Sequence, residues 1–119
     1  MNNNFYITTP IYYPSAKPHM GHAYSSIIAD FFARVKRIQG HNVFFLTGTD
    51  EHGLKIQRAA EKKDMNPKDF CDEISLTFRE LSKTLNLSNN DFIRTTEERH
   101  SKSVQNLWNI LEKKNEIYL

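Results

Sequence analysis

The sequence is short of several features that would commit it to a compartment, a membrane or a metal. It holds one cysteine, Cys71, so no internal disulfide can form and no Cys-x-x-Cys pair offers a zinc site. A lone thiol fits a reducing cytosol, and a cytoplasmic location is expected. Cys71 lies in a helical stretch and reads as a half-buried small apolar residue. No apolar run approaches the roughly 20 residues that span a bilayer, and residues 1–4 do not read as a signal peptide, so no membrane partner is expected. Charge is nearly balanced, 16 Lys and Arg against 14 Asp and Glu, a net charge of +2. That gives no case for wrapping DNA; any nucleic-acid contact would have to be local. Internal repeats and low-complexity tracts are lacking too. With 119 residues the chain is one domain or less.

Proline is scarce but concentrated. Three of the four prolines, Pro10, Pro14 and Pro18, fall in the stretch TTPIYYPSAKPHMGH, residues 8–22. Residues 5–9, aromatic and β-branched, favour a strand before it. Each proline fixes its own φ and pushes the preceding residue out of the α region, so no helix can form until after Pro18. From Met20 onward Ala23, Ile27 and Phe31 fall four apart, with Ile28 and Phe32 thickening the stripe, which predicts a helix with that face inward. His19 and His22 then sit at its first turn with Gly21 between them. Free N–H groups at a helix start attract anions, two imidazoles add donors, and Gly21 lets a flat nucleobase lie against the backbone. The arrangement suits a nucleoside triphosphate; the alternative is a pair of surface histidines at a helix cap. The helix's positive end should lower a histidine pKa, leaving a neutral ring that still donates one hydrogen bond.

Further along, Gly40 stops the first helix, with Arg34, Lys36 and Arg37 near its negative end. Residues 43–46 are a continuous apolar run, predicting a strand covered on both faces. It leads into TGTDEHG, residues 47–53, and a short basic helix over about 54–62. Asn66-Pro67 reads as a cap and first helical position, and Phe70, Ile74, Phe78, Leu81 and Leu85 mark an amphipathic helix. Residues 91–96 give a third short strand, with Thr96 capping a last helix whose inner face is His100, Val104, Leu107, Trp108 and Leu111. Residues 117–119 are apolar again.

This alternation predicts an α/β fold, a parallel sheet with helical crossovers. Ligands of such sheets bind beyond the carboxyl ends of the strands, where residues 8–22 and 47–53 both emerge. Asp50 and Glu51 there would repel a triphosphate, so a cation such as a substrate ammonium is the simplest partner for Asp50. For both acids the alternative is capping the next helix. His52 reads equally as a cap or a pocket wall. Of the adjacent Tyr12 and Tyr13, one should face the pocket. Lys17 either meets phosphate or is a solvated loop lysine.

Three blocks carry a family resemblance: TTPIYYPSAKPHMGH at 8–22, FLTGTDEHG at 45–53 and DFIRTTEERH at 91–100. Together they resemble the class I aminoacyl-tRNA synthetases, specifically the methionyl family. His-x-Gly-His alone is shared with nucleotidylyltransferases; its combination with the second block is far more specific. The resemblance implies the first half of a Rossmann-like nucleotide-binding fold, residues 1–119, ending before the family's inserted domain. It implies that His19 and His22 are catalytic and, with Gly21 and Lys17, bind ATP. It also implies that Ile11 (through its carbonyl), Tyr13 and Asp50 bind methionine. Implied partners are methionine, ATP with Mg2+, and tRNA(Met) in a complete enzyme. No metal ligand is implied in this segment, and zinc would belong only to the inserted domain. A Lys-Met-Ser-Lys-Ser-like loop is absent from the sequence, so the isolated chain is expected to be inactive. Alternatives are a non-catalytic fragment that binds ATP, tRNA or a partner, and a small His-x-Gly-His nucleotidylyltransferase.

Overall fold

The computed structural model describes residues 3–118. Seven elements follow in order: β1 (Asn4–Thr8), α1 (Met20–Ile38), β2 (Asn42–Thr49), α2 (Leu54–Glu61), α3 (Pro67–Thr84), β3 (Asp91–Arg94) and α4 (Glu98–Lys113). The three strands form one parallel sheet in the order β1-β2-β3, the predicted α/β alternation. Phe5 pairs with Val43, Ile7 with Phe45, and Thr47 with Phe92. Because side chains alternate along a strand, these residues share one face of the sheet. Two crossovers of the same hand, stepping in the same direction, lay their helices on that one face. α1 packs there over Val43 and Phe45. The α2–α3 pair packs over Phe92 through Ile56, Phe70, Ile74 and Phe78.

The caps read from sequence form as expected at α3, where Asn66 Oδ1 accepts from Lys68 N–H at 2.8 Å with Pro67 following. α1 stops at Gly40, whose φ of 84° is the left-handed conformation glycine adopts at no steric cost. Arg34 and Arg37 do more than face the helix's negative end. Arg34 pairs with Asp30 at 2.6 Å, and Arg37 donates to the Ser88 carbonyl and to Asn90, both at 3.0 Å. Arg37, together with Arg34 Nη2 donating to the Asn86 carbonyl, thereby ties α1 to the loop before β3. Asn90 completes that loop by accepting from Phe45 N–H and donating its own N–H to the Phe45 carbonyl, each at 2.8 Å.

Four expectations are corrected. α1 buries Ala23, Ser26, Ala29, Asp30 and Ala33, not the large stripe; Ile27, Ile28, Phe31 and Phe32 are exposed. Small side chains let the helix axis approach the sheet closely. Asp30 is accommodated because Ser88 N–H donates to it at 2.7 Å and Arg34 pairs with it. β2 is covered on one face only at its start: Val43 and Phe45 are buried while Phe44 is exposed and stacked on Tyr6. α4 has no buried residue and Trp108 is 55% exposed, so its apolar stripe covers no core among the described residues. Thr96 does not cap α4. The N-cap is Glu97, and the Thr96 hydroxyl instead donates to Glu51. Residue 119, the end of the last apolar run, lies outside the described residues.

Candidate active site

The loop after β1 returns to β2 before it enters α1. Tyr12 N–H donates to the Gly48 carbonyl at 2.8 Å, and Asp50 N–H donates to the Tyr12 carbonyl at 2.8 Å. These two bonds make a parallel bridge between Tyr12 and Thr49. The proline-punctuated loop therefore runs alongside the carboxyl end of β2, and Ile11, Tyr13 and Asp50 are brought together across these bonds. The Ile11 carbonyl and the Asp50 carboxylate have no hydrogen-bond or ion-pair partner among the described residues. Asp50 is half-buried.

The buried member of the tyrosine pair is Tyr12. Its ring stacks on Phe78 at 5.1 Å, with planes 13° apart, and meets the His22 ring edge-on at 5.2 Å. Phe78 also meets His22 edge-on at 5.1 Å. Offset and edge-on aromatic contacts are worth about 0.5–1.5 kcal/mol each beyond burial, so His22 stands on a rigid aromatic floor. The Tyr12 hydroxyl is hydrogen-bonded to the buried Ser26 of α1, which joins the floor to the helix carrying the histidines. Tyr13 is half-buried, and its hydroxyl donates to the His52 carbonyl at 2.6 Å. Gly53 makes room for it: a Cβ at that position would lie 2.6 Å from the Tyr13 hydroxyl, and Gly53 has φ 102°.

His19 and His22 close the start of α1 as a reciprocal cap. His19 Nδ1 accepts from Gly21 N–H at 3.1 Å, and His22 Nδ1 accepts from His19 N–H at 3.1 Å. The rings lie 3.9 Å apart, tilted by 37°. An Nδ1 that accepts carries no proton, so each neutral ring keeps its hydrogen on Nε2. The pair offers two Nε2–H donors beside the free N–H groups of the helix start. Burial, and then repulsion by His19, hold the His22 pKa below the usual histidine value; protonation would also break the cap. Gly21 is exposed, and a Cβ there would lie 2.9 Å from the His19 ring. Any larger residue would crowd the capping His19 ring, so glycine suits the cap and leaves the backbone bare. Lys17 is exposed and unpaired among the described residues.

Neither Asp50 nor Glu51 caps α2, whose N-cap is Gly53 without a side-chain bond. His52 is not the cap either; its ring lies against Thr95, Nε2 3.3 Å from the carbonyl. Glu51 turns into the protein. Its side chain is fully buried and accepts from Arg94 Nε at 2.7 Å, Arg94 Nη2 at 2.9 Å and the Thr49 hydroxyl at 2.7 Å. Sequence reasoning missed Arg94, Ser26 and Phe78 as parts of this assembly. A basic residue ending the strand next to TGTDEHG was the available signal for Arg94. Cys71 is buried more fully than expected, and burial, with the nearby Glu51 charge, raises its thiol pKa to about 11.

A concavity of about 640 Å³ is lined by Ser15, Leu54, Lys55, Arg58, Lys62 and Phe70 among others, and does not include His19, His22 or Asp50. Those groups line an open rim at the carboxyl end of the sheet. No three His, Cys, Asp or Glu side chains among the described residues converge as a metal site.

A parallel sheet that delivers His-x-Gly-His and a lone acid to one rim is a nucleotide-binding frame of the class I synthetase kind, and the chain belongs to that family. The family profile for tRNA synthetases class I (M) matches residues 5–119. The relatives are specific as to amino acid. A mitochondrial methionine–tRNA ligase from Takifugu rubripes is 56% identical over 117 residues, covering 98% of this chain and 20% of that protein. The methionine–tRNA ligase of Listeria monocytogenes is 53% identical over 98% of this chain and 18% of its own length. The Mycobacterium tuberculosis methionyl-tRNA synthetase, solved with methionyl-adenylate, superposes with a TM-score of 0.90 at 42% identity, covering 92% of this chain and 22% of that one. The chain spans about a fifth of the length of the curated relatives it matches. Membership in this family sets aside a small nucleotidylyltransferase.

Proposed function

We propose that this segment serves a methionine–tRNA ligase, forming methionyl-adenylate from methionine and ATP and passing the methionyl group to tRNA(Met) within a complete synthetase. The observation that carries the reading is the Tyr12–Asp50 backbone bond, which sets an unpaired carboxylate at the rim where α1 begins. The solved relative with methionyl-adenylate supports the same substrates. Asp50 receives the methionine ammonium, helped by the Ile11 carbonyl, and Tyr13 lines the side-chain pocket. Lys17, His19, Gly21 and His22 face the nucleotide.

The methionine carboxylate is already the nucleophile. Its oxygen bonds to the α-phosphorus of ATP while the bond to the β-bridging oxygen breaks, and pyrophosphate leaves with that electron pair. No proton need be removed in this step, so the burden falls on orientation and on neutralising charge. The Nε2–H groups of His19 and His22 supply fixed donors to the phosphates. Gly21 lets the adenine approach the helix backbone. Mg2+ would enter with the nucleotide as a phosphate counterion. The lone, buried thiol suits a reducing compartment such as the cytosol.

Pyrophosphate exchange in a complete synthetase carrying this segment tests the reading. Asp50→Ala should raise the KM for methionine by roughly 30-fold or more, the scale for stranding one partner of a hydrogen-bonded charge pair, while the KM for ATP stays near its starting value. A loss confined to ATP would remove Asp50 from amino-acid binding.

A further inference from the structure

We infer that the buried Glu51–Arg94 ion pair is the positioning device for Asp50, so that Arg94 governs methionine affinity without touching methionine. The inference rests on the proposed role of Asp50 as the ammonium acceptor.

Asp50 has few anchors of its own. It follows the last residue of β2, and its carboxylate is unpaired among the described residues. Its backbone is held from both sides. On one side its N–H donates to the Tyr12 carbonyl at 2.8 Å. On the other side Glu51 is nailed down: its N–H donates to the Thr95 hydroxyl at 2.8 Å, and its carboxylate takes the Arg94 fork and the Thr49 and Thr96 hydroxyls. Adjacent residues of an extended chain point to opposite sides. Driving Glu51 inward therefore turns Asp50 outward, toward the rim. The planar guanidinium fixes this rotation because two N–H groups engage two oxygens of one carboxylate.

Arg94 is itself held. Asp72 of α3 accepts from its Nη2 and also pairs with Lys68 at 3.0 Å. These bonds hold the Asp72 carboxyl below the usual range. The group thus spans the β2–α2 loop, the end of β3 and α3. Its charges balance, two acids against two bases. A buried Glu51 without Arg94 would add a second uncompensated negative charge beside Asp50. The pair therefore fixes the direction of the ammonium acceptor and keeps Asp50 the one free carboxylate of the loop among the described residues.

The test is a double-mutant cycle in a complete synthetase carrying this segment, read by pyrophosphate exchange. Arg94→Lys keeps the charge and loses the fork. It should raise the methionine KM about tenfold, with the KM for ATP and kcat changed less than twofold. In an Asp50→Asn background the same change should add nothing, because the acceptor it positions is already gone. A merely structural role would lower kcat, or weaken both substrates, equally in both backgrounds, and would overturn the inference. Glu51→Gln, which keeps the volume and one acceptor oxygen, replaces Arg94→Lys if the lysine variant does not fold, with the same expected pattern. The premise fails separately. Should Asp50→Asn alone leave the methionine KM unchanged, the ammonium role is lost. Should Asp50→Asn raise it while Arg94→Lys and Glu51→Gln do not, only the positioning inference falls.

Discussion

Asp50 and Tyr12, 38 positions apart in the chain, are joined by a 2.8 Å bond from the aspartate N–H to the tyrosine carbonyl. That bond binds the two chemical stretches to one rim. It also explains why the Tyr12 ring is buried: with its backbone spent on β2, the side chain is turned into the core, against Phe78 and beneath His22.

The histidine pair should matter through donated hydrogen bonds. In a complete synthetase His22→Ala should lower the adenylate-forming rate by on the order of a hundredfold or more, the scale for losing one charge-stabilising donor. His22→Asn, whose amide can still donate, should retain more activity than alanine. Single-turnover measurement at saturating methionine and ATP separates this from binding; an unchanged rate would take His22 out of the mechanism.

Acid should weaken the fold in two separated steps. The folded His22 pKa lies below 6.5, so between the two values the unfolded chain holds more protons than the folded one. The His22 contribution is therefore complete above pH 6.5 and is lost as pH falls through the lower folded value. Asp72 and Asp91 are lowered from 3.8, chiefly by hydrogen bonds from Lys68 and Arg99 respectively. For Asp30, burial would raise the pKa, but bonds from Ser88 and Arg34 outweigh it. Their contributions hold above pH 3.8 and fail only below it. Melting temperature measured from pH 7.5 to 3 should show both declines, and His22→Gln should remove the upper one alone.

Gly48 is a steric requirement of the β2–β3 pairing. A Cβ there would fall 1.9 Å from the Ile93 carbonyl oxygen, its register partner. Gly48→Ala should destabilise the chain by roughly 3 kcal/mol or more, at the upper end for overpacking, read as a lower urea midpoint. Gly40→Ala meets no neighbouring atom. It should cost only the left-handed backbone penalty, about 1 kcal/mol.

Cys71 should be inert while the protein is folded. It is buried, and its thiol pKa is raised to about 11, so almost no thiolate exists at pH 8. A thiol reagent should label it only after denaturant is added. Rapid labelling of the native chain would contradict the buried position on α3.

Much of the frame was legible because its signals are local. Three prolines bar a helix before residue 19, Asn66-Pro67 starts α3, and Gly40 ends α1. Each acts through φ, a missing N–H or a cap within one turn. The site was legible in outline for the same reason: a helix start and a strand end are local features, and an alternating chain sends both to the carboxyl edge of the sheet. Ile27, Ile28, Phe31 and Phe32 misled because periodicity locates a stripe without showing what it meets. The sheet accepted the alanine side of α1, where the backbones can come close.

Taken alone, the sequence determined where α1 and α3 begin, the parallel alternation, and the presence of His19, Gly21, His22 and Asp50 at element ends. Short-range sterics and hydrogen-bonding chemistry suffice for those. Only the tertiary structure decided which tyrosine is buried, which face of α1 is covered, and that Glu51 is claimed by Arg94 rather than by a helix cap. Those outcomes depend on groups that lie tens of residues away in the chain, and a buried carboxylate goes where a fixed cation and hydroxyls can replace its water.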